Sequence, residues 1–366
     1  MAEISAKTNL LGLSREGLEA FFSSIEEKPF RARQLLQWIY QRHVTDFEQM
    51  TDLSQALRRR LAAQTEIRPP SVLSEQKSVD GTIKWLMSLP GGSAVETVFI
   101  PEPSRGTLCI SSQVGCMLNC TFCSTAMQGF SRNLTSAEII GQVWLANYLI
   151  GDQRISNVVL MGMGEPLLNL DQVSPALSLM REDLAYGLAS RRVTVSTSGV
   201  IPGIDALRDG PAVALAVSLH APVDEIRTRL VPLNRKYPIA DLLAACRRYL
   251  DGRQAKQSIT FEYTMIAGVN DDPALARQLL RILSGMPCKV NLIPFNPYPG
   301  TPFRCSEPDV IARFQEILRH GGMIATIRRT RGDDIDAACG QLVGKVLSSS
   351  NRRAIVQQQL AQQAIA

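Results

Sequence analysis

The sequence predicts an α/β fold: a partial (β/α)6 TIM-like barrel, preceded by an N-terminal helical accessory domain and a short antiparallel β extension. Short apolar runs of strand character recur from about residue 106 onward, and helical runs fall between them. Pro69 and Pro70 end the helical periodicity that precedes them. Strands that alternate with helices pair in parallel through right-handed crossovers, which indicates a full or partial barrel.

Residues 1–68 are predicted to be helical. Ser14 precedes a run with apolar residues at Leu18, Phe21 and Phe22. Two further runs with helical spacing follow, at Leu35, Leu36, Trp38, Ile39 and Tyr40 and at Leu53, Leu57 and Leu61.

Residues 69–105 are predicted to form the β extension. Thr82–Leu89 and Ala94–Ile100 read as strands, and Pro90-Gly91-Gly92 supplies the turn between them. Adjacent strands with so short a connection pair antiparallel.

The barrel is predicted to occupy residues 106–345, and a polar tail follows over 346–366. Functional side chains of such a barrel lie at the carboxyl ends of its strands. The candidate strands are Leu108–Ser111, Val158–Met161, Val193–Thr197, Ala214–Leu219, Ile259–Ile266, Val290–Phe295 and Ala325–Arg329.

Composition and charge narrow the class of protein. Of the 366 residues 45% are hydrophobic and 20% are charged, which favours a buried core over disorder. The chain has no apolar run of membrane-spanning length and no signal-peptide pattern at its start, so we expect a cytoplasmic protein without a membrane partner. The net charge of +5 is uneven, with −1 over residues 1–104 and +6 over the rest. This excess weakly favours a polyanionic substrate of the barrel.

Three cysteines form the strongest local signal. Cys116, Cys120 and Cys123 make a CxxxCxxC array directly after a predicted strand. Three thiolates on a short loop can ligate three irons of a 4Fe-4S cluster and leave the fourth iron open to a small chelating ligand. Structural zinc is an alternative, although it needs a fourth ligand and no histidine is near. Three buried thiols without a metal are the other alternative.

The array resembles that of the radical S-adenosylmethionine (SAM) enzymes, including the aromatic residue, Phe122, before the third cysteine. The resemblance implies a 4Fe-4S cluster whose open iron is chelated by SAM, and a partial barrel. It also implies SAM contacts at successive strand ends, although each such polar residue alone could be a strand-end cap. These are Gly164 and Glu165 of the Gly162-Met163-Gly164-Glu165 motif, Ser196, then Ser218, Leu219 and His220, and finally Asn296.

Two further cysteines indicate which family of radical SAM enzymes the sequence resembles. Cys109 precedes the array by seven residues, and Cys339 lies near the end of the barrel region. Together with the segments GMGEPLLN, SLHAP and NLIPFNPYPG, they resemble the RlmN family of RNA adenine-C2 methyltransferases over about residues 10–345. The resemblance implies methylation of adenosine C2 in 23S rRNA, at the peptidyl transferase centre, and in tRNA, at the adenosine 3′ of the anticodon. It further implies two SAM molecules per turnover and a flavodoxin-type electron donor.

The resemblance also implies roles for three residues. Cys339 would accept a methyl group from the first SAM. A 5′-deoxyadenosyl radical from the second SAM would then remove a hydrogen atom from that methyl group, and the resulting methylene radical would add to C2. Cys109 would resolve the protein–RNA adduct by forming a transient disulfide with Cys339, and Glu96 would be the proton acceptor. For Glu96 the alternative is a surface residue of a strand.

Basic residues are candidate RNA contacts, and the helical domain is expected to help hold RNA. Arg58, Arg59 and Arg60 could instead be a solvated helix face. Those near predicted strand ends are better phosphate candidates: Arg191, Arg192, Arg227, Arg229, Arg235, Lys236, Arg328, Arg329 and Arg331.

Two other functions remain open on sequence grounds. A sister radical SAM enzyme that methylates adenine C8 would share the two-cysteine mechanism. A non-catalytic iron–sulfur protein that binds RNA or senses redox state would need neither Cys339 nor the SAM contacts.

Overall fold

The computed structural model describes residues 7–151, 153–251 and 258–343, so the predicted polar tail, 346–366, lies outside the described residues. The strands within these ranges are β1 (Thr8–Asn9), β2 (Thr65–Glu66), β3 (Ser71–Lys77), β4 (Ile83–Ser88), β5 (Ala94–Glu102), β6 (Arg105–Cys109), β7 (Gln113–Gly115), β8 (Phe130–Asn133), β9 (Asn157–Leu160), β10 (Val193–Thr197), β11 (Ala214–Ser218), β12 (Ile259–Met265), β13 (Cys288–Pro294) and β14 (Ile324–Ile327).

The α-helices of the same ranges are α1 (Arg15–Ser24), α2 (Arg31–Leu36), α3 (Gln55–Gln64), α4 (Ser124–Met127), α5 (Ser136–Leu149), α6 (Leu170–Arg181), α7 (Ile201–Arg208), α8 (Asp224–Leu230), α9 (Ile239–Leu250), α10 (Pro273–Leu283) and α11 (Pro308–His320). From α5 onward the helices alternate with the parallel strands of the barrel. A π-helical turn, Gln37–Gln41, continues α2.

A ten-stranded sheet organises the described chain, in the order β14-β13-β12-β11-β10-β9-β6-β5-β4-β3. From β6 through β9 to β14 all neighbours are parallel, with pairs such as Thr194↔Ala214 and Val217↔Phe261. β3 and β14 are the two edges and do not pair with each other, so the barrel is open. The predicted partial (β/α) barrel is confirmed, and the sheet places the carboxyl ends of its parallel strands along one rim.

The β extension is part of this same sheet. β5 pairs antiparallel with β6, β4 with β5, and β3 with β4. The strand expectations for β4 and β5 are confirmed, whereas β3 is a strand that the sequence did not predict. All seven of its side chains are exposed, so its sequence lacks the apolar alternation that marks a half-buried strand.

The N-terminal helices pack against α5. Ser14 caps α1 by accepting from the backbone N–H of Gly17 at 3.2 Å. The indole Nε1 of Trp144, on α5, donates to the carbonyl oxygen of Ile39 at 2.7 Å. A Cβ at Gly12 would lie 2.3 Å from the backbone nitrogen of Ala137, so only glycine permits this approach. α5 is therefore buried on the sheet side and on the outer side alike.

Among the helices that the structure describes, none combines the length and the apolar character needed to span a membrane.

Candidate active site

A cavity with about 1000 Å³ of empty space lies at the carboxyl ends of the parallel strands. Three parts of the chain surround it: the loop that carries the three clustered cysteines, the strand ends, and residues 331–343, called here the Cys339 loop. Ten of the predicted site residues line the cavity, namely Cys116, Cys120, Cys123, Gly164, Glu165, Ser196, Ser218, His220, Asn296 and Cys339. The structure thus brings together residues that are as far apart as 223 positions in sequence.

The cysteine loop is shaped by backbone hydrogen bonds. The N–H of Cys116 donates to the carbonyl oxygen of Gly129 at 3.0 Å, and the N–H of Cys123 donates to the carbonyl oxygen of Cys120 at 3.2 Å. α4 begins directly after Cys123. The loop therefore turns all three thiols toward the same cavity.

The electrostatics of these thiols fit an iron–sulfur cluster. Burial raises the pKa of Cys116 to about 12 and also raises the pKa values of Cys120 and Cys123, and for Cys120 its two neighbouring thiols add to the shift. Three thiolates in this position need positive charge nearby, which iron supplies. Among the described residues, no three His, Cys, Asp or Glu side chains converge as ligands of a single metal ion do. The ligands of a cluster bind separate irons and so stand wider apart.

Glu165 faces the cavity with a fixed orientation. Its Oε1 accepts from the N–H of Leu167 at 3.1 Å, and its Oε2 accepts from the N–H of Ser198 at 2.8 Å. Burial raises the pKa of Glu165 to about 7, although both hydrogen bonds oppose the shift. Gly164 precedes it at φ +100°, where a Cβ would lie 2.6 Å from the Cβ of Gln113. The motif thus needs glycine for backbone conformation and for packing.

His220 is a neutral imidazole in the cavity wall. Burial, and secondarily the cation of Arg227, lowers its pKa to about 3. Its Nδ1 accepts from the N–H of Thr264 at 3.0 Å, so the ring proton is on Nε2. The ring packs edge-on against Phe122 with centroids 4.6 Å apart, which joins the cysteine loop to the end of β11.

Two predicted SAM-contact residues, Leu219 and Asn296, make hydrogen bonds within the protein. Leu219 is fully buried and does not line the cavity; its carbonyl oxygen accepts from Nε of Arg227 at 3.2 Å. Asn296 does line the cavity, but its Nδ2 donates to the carbonyl oxygen of Cys339 at 3.2 Å and its Oδ1 accepts from Thr330. Asn296 therefore supports the Cys339 loop, a contact that sequence alone could not reveal.

The two lone cysteines lie near each other. Cys339 is exposed and lines the cavity, whereas Cys109, the last residue of β6, is buried and lies outside the cavity lining. Burial raises the pKa of Cys109 to about 12; the negative charge of Cys339 adds to this shift, and Arg328 opposes it. Surrounding protein also raises the pKa of Cys339, again opposed by Arg328. Glu262, on β12, completes this group and was missed by the sequence analysis because its neighbours form an apolar strand.

Glu96 lies outside the cavity lining. It is 9% exposed, so the alternative of a surface strand residue is wrong. Its Oε1 is 3.3 Å from Nζ of Lys84, and its Oε2 accepts from the N–H of Val343 at 2.8 Å. Glu96 is thus attached to the far end of the Cys339 loop.

One of the expected phosphate contacts is wrong. Arg227 is fully buried, and its guanidinium donates to Asn234 Oδ1 at 2.7 Å and to the carbonyl oxygen of Ser198 at 2.7 Å. It is a structural cation of the cavity wall. The exposed members of that set remain available at the surface: Arg191, Arg229, Arg235, Lys236 and Arg329.

Comparison with known proteins agrees with this geometry. Residues 110–279 match the radical SAM superfamily, and residues 8–67 match the family described as the ribosomal RNA large subunit methyltransferase N-terminal domain. A radical SAM methyltransferase from Sphaerobacter thermophilus has a similar crystal structure, with a TM-score of 0.84 and 44% identity, covering 92% of this chain and 99% of that one. An open barrel with a three-cysteine loop at its rim and this N-terminal domain defines a radical SAM methyltransferase.

Curated relatives give the particular family. The dual-specificity RNA methyltransferase RlmN of Marinobacter nauticus is 57% identical over 96% of this chain and 97% of its own length. RlmN of Stenotrophomonas maltophilia is 55% identical over 96% of this chain and 92% of its own length. The chain belongs to the RlmN family of radical SAM RNA methyltransferases. Membership of the superfamily implies SAM and a 4Fe-4S cluster.

Proposed function

We propose that the chain methylates C2 of adenosine in 23S rRNA, at the peptidyl transferase centre, and in tRNA, at the adenosine 3′ of the anticodon. The observation that carries the proposal is that Cys339 lines the same cavity as the three clustered cysteines and is close enough to the buried Cys109 to raise its pKa. Two functional thiols beside a cluster site suit a methyl transfer that passes through the protein. The names of the relatives support RNA as the substrate.

Cofactor binding is assigned to the cavity wall. Cys116, Cys120 and Cys123 would hold the 4Fe-4S cluster, which when bound supplies the electron for reductive cleavage of SAM. The carboxylate of Glu165 would accept from the amino group of SAM, and Gly164 would let the backbone come close. The carboxylate, ribose and adenine of SAM would be contacted by Ser196, Ser218, His220 and Asn296, which line the cavity.

The two lone cysteines would carry the methyl group and release it. Adenine C2 is electron-poor, so it does not attack the methyl group of SAM directly. The Cys339 thiolate would displace the methyl group of one SAM and hold it as a thioether. After loss of a hydrogen atom to the 5′-deoxyadenosyl radical, that carbon would bond to C2, and the radical adduct would lose the C2 proton and one electron, for which the bound cluster would be the acceptor. Cys109 would then attack Cys339 Sγ, forming a disulfide and breaking the bond from Cys339 Sγ to the transferred carbon, which would take up a proton to become the methyl group of the free base.

Glu96 remains the proposed acceptor of the C2 proton. Its contact with Val343 keeps it attached to the Cys339 loop, and Lys84 balances its charge. A flavodoxin-type protein would donate the electrons, and the resulting disulfide must be reduced between turnovers. RNA substrates of this kind and a cycle that needs free thiols suit the cytoplasm.

Anaerobic reconstitution with iron and sulfide, followed by assay on a ribosomal RNA fragment and on tRNA, tests this function. Mass spectrometry and NMR of the modified nucleoside should locate the new methyl group on C2. A methyl group on C8 would instead identify the chain as the sister enzyme. Absence of 5′-deoxyadenosine under reduction with SAM would contradict catalysis altogether.

A further inference from the structure

The Cys339 loop is held by the turn between β3 and β4, called here the 78–82 turn. Asp334, on the loop, accepts from both the side chain and the backbone of this turn. Its Oδ1 accepts from Oγ of Ser78 at 2.5 Å, and its Oδ2 accepts from the N–H of Val79 at 3.1 Å. One carboxylate thus joins segments that lie about 255 residues apart in sequence.

A second carboxylate makes the reciprocal contact. Oδ2 of Asp80, on the turn, accepts from the N–H of Gly332 at 3.1 Å and lies 3.3 Å from Nε of Arg331. Arg331 also donates to the carbonyl oxygen of Pro101, on β5, at 2.8 Å. Each segment therefore offers one carboxylate to the backbone of the other.

Both carboxylates are charged at neutral pH. Burial alone would raise the pKa of Asp80, but hydrogen bonds from Thr82, Gly332 and Ser78 lower it to about 2. Hydrogen bonds from Ser78 and Val79 lower the pKa of Asp334. The contacts are therefore charge-assisted hydrogen bonds, which are stronger than those between neutral groups.

The loop needs such support because its backbone is bent at unusual angles. Gly332 has φ +64° and Gly340 has φ +86°. Asp336 has φ +50°, a left-handed conformation that is unfavourable for a residue with a Cβ. Nζ of Lys84, on β4, donates to the carbonyl oxygen of Asp336 at 3.2 Å. Contacts from the β extension thus hold the loop in a conformation that it would not favour alone.

We propose that the 78–82 turn is a positioning element for Cys339, acting through Asp80 and Asp334. Ser78, Asp80 and Asp334 do not line the cavity, so they touch neither the cluster site nor the SAM site. Their role is to keep the Cys339 thiol at the cavity, where it must meet first SAM and then the adenine. The proposal rests on the proposed function of Cys339.

Amide hydrogen exchange and turnover of the reconstituted full chain test the proposal together. Asp80→Asn and Asp334→Asn remove the charges while keeping the side-chain size. Each should speed exchange of residues 331–343 about tenfold, as expected for a partly exposed charge-assisted hydrogen bond. RNA methylation should fall by a similar factor, while the rate of reductive SAM cleavage and the iron content stay close to those of the unmodified enzyme.

Asp205→Asn is the matched control, because Asp205 forms an exposed pair with Arg248 at 2.8 Å away from the cavity. It should change neither the exchange of the loop nor methylation. Ser78→Ala, a milder variant in the same contact, should give a smaller change in the same direction and serves if an aspartate variant does not fold.

Unchanged exchange, or faster exchange with normal methylation, would overturn the positioning role. Equal losses of SAM cleavage and methylation would also overturn it, because they indicate general damage to the site. Failure of the proposed function has a separate signature: Cys339→Ala would then still methylate RNA, whatever the exchange of the loop.

Discussion

Nη2 of Arg227 donates to the carbonyl oxygen of Ser198 at 2.7 Å, and the hydroxyl of Ser198 lies 3.9 Å from the sulfur of Cys120. A buried cation thus supports the wall against which Cys120, a proposed cluster ligand, packs. Burial lowers the pKa of Arg227 to about 10, so the guanidinium still carries its charge at neutral pH. The contact connects the stability of the fold to the geometry of the cluster site.

Arg227→Met should destabilise the protein by about 3 kcal/mol, because Asn234 and three backbone carbonyl oxygens lose a charged donor in the interior. Urea unfolding of the full chain measures the change. Arg208→Met alters an exposed arginine and should leave the free energy of unfolding nearly unchanged. Equal free energies of unfolding for the two variants would show that the hydrogen bonds of Arg227 do not stabilise the fold.

Cys120→Ala should abolish the iron–sulfur absorbance and the reductive cleavage of SAM together, because one of three ligands is lost. Iron analysis and the yield of 5′-deoxyadenosine provide the measurement. Cys246→Ala, which changes a buried cysteine of α9 outside the cavity lining, should retain both. Normal iron content and cleavage in Cys120→Ala would contradict the cluster assignment.

Cys339→Ala and Cys109→Ala should fail in different ways. Without Cys339 no methyl group reaches the protein and no crosslink to RNA forms. Without Cys109 the methylated Cys339 can still bond to C2, but nothing releases it. Protein with covalently attached RNA should then accumulate and shift on a denaturing gel after nuclease trimming.

Cys305→Ser serves as the control for these two variants, since Cys305 lies outside the cavity lining, and it should turn over normally. A crosslink in Cys339→Ala, or none in Cys109→Ala, would reverse or remove the proposed roles.

Stability should fall on acidification because His220 is buried as the neutral ring. Its pKa is about 3 when folded against an ordinary value of 6.5, so between these values only the unfolded chain takes up the proton. The free energy of unfolding should drop by about 1.4 kcal/mol from this residue between pH 7.5 and 5.5.

Urea unfolding of the full chain before cluster loading measures this effect. In His220→Asn the same acid dependence should be missing, and asparagine tolerates the φ of +58° found here. Identical pH dependence in both proteins would show that His220 is not the group responsible.

The N-terminal helical domain should contribute to RNA binding through its exposed cations. The double substitution Arg59→Gln and Arg60→Gln changes the outer face of α3 and should weaken tRNA binding. The slope of log K against log salt concentration should become shallower, as expected for the loss of up to about two phosphate contacts. Filter binding at several salt concentrations provides the comparison. Unchanged affinity and slope would assign those arginines to a solvated helix face.

Local patterns predicted the barrel well, since strands such as Val193–Thr197 were found at the expected residues. The resemblance to a known family likewise predicted that Cys116, Glu165 and Cys339 share one site, and all three line one cavity. Arg227 was assigned to the surface because a charged residue near a strand end usually faces solvent, and its burial depends on partners that no local pattern shows. The contact of Asn296 with Cys339 was invisible for the same reason, because it joins residues 43 positions apart through a loop with no regular structure.

The hydrogen bond from Ser78 to Asp334 joins residues that are 256 positions apart in the chain, and every parallel strand of the barrel lies between them in sequence. In the order of synthesis, the three clustered cysteines therefore come long before Cys339. Cys116, Cys120 and Cys123 are synthesised more than 200 residues before Cys339. The interval between the 78–82 turn and Asp334, which binds it, is longer still. Contacts this distant in sequence close a long loop, and the entropic cost of closing it falls once the intervening strands are paired. If Cys339 accepts the methyl group as proposed, a chain that stops short, or whose sheet is incomplete, would lack an ordered acceptor, and completion of the fold would control when methyl transfer can begin.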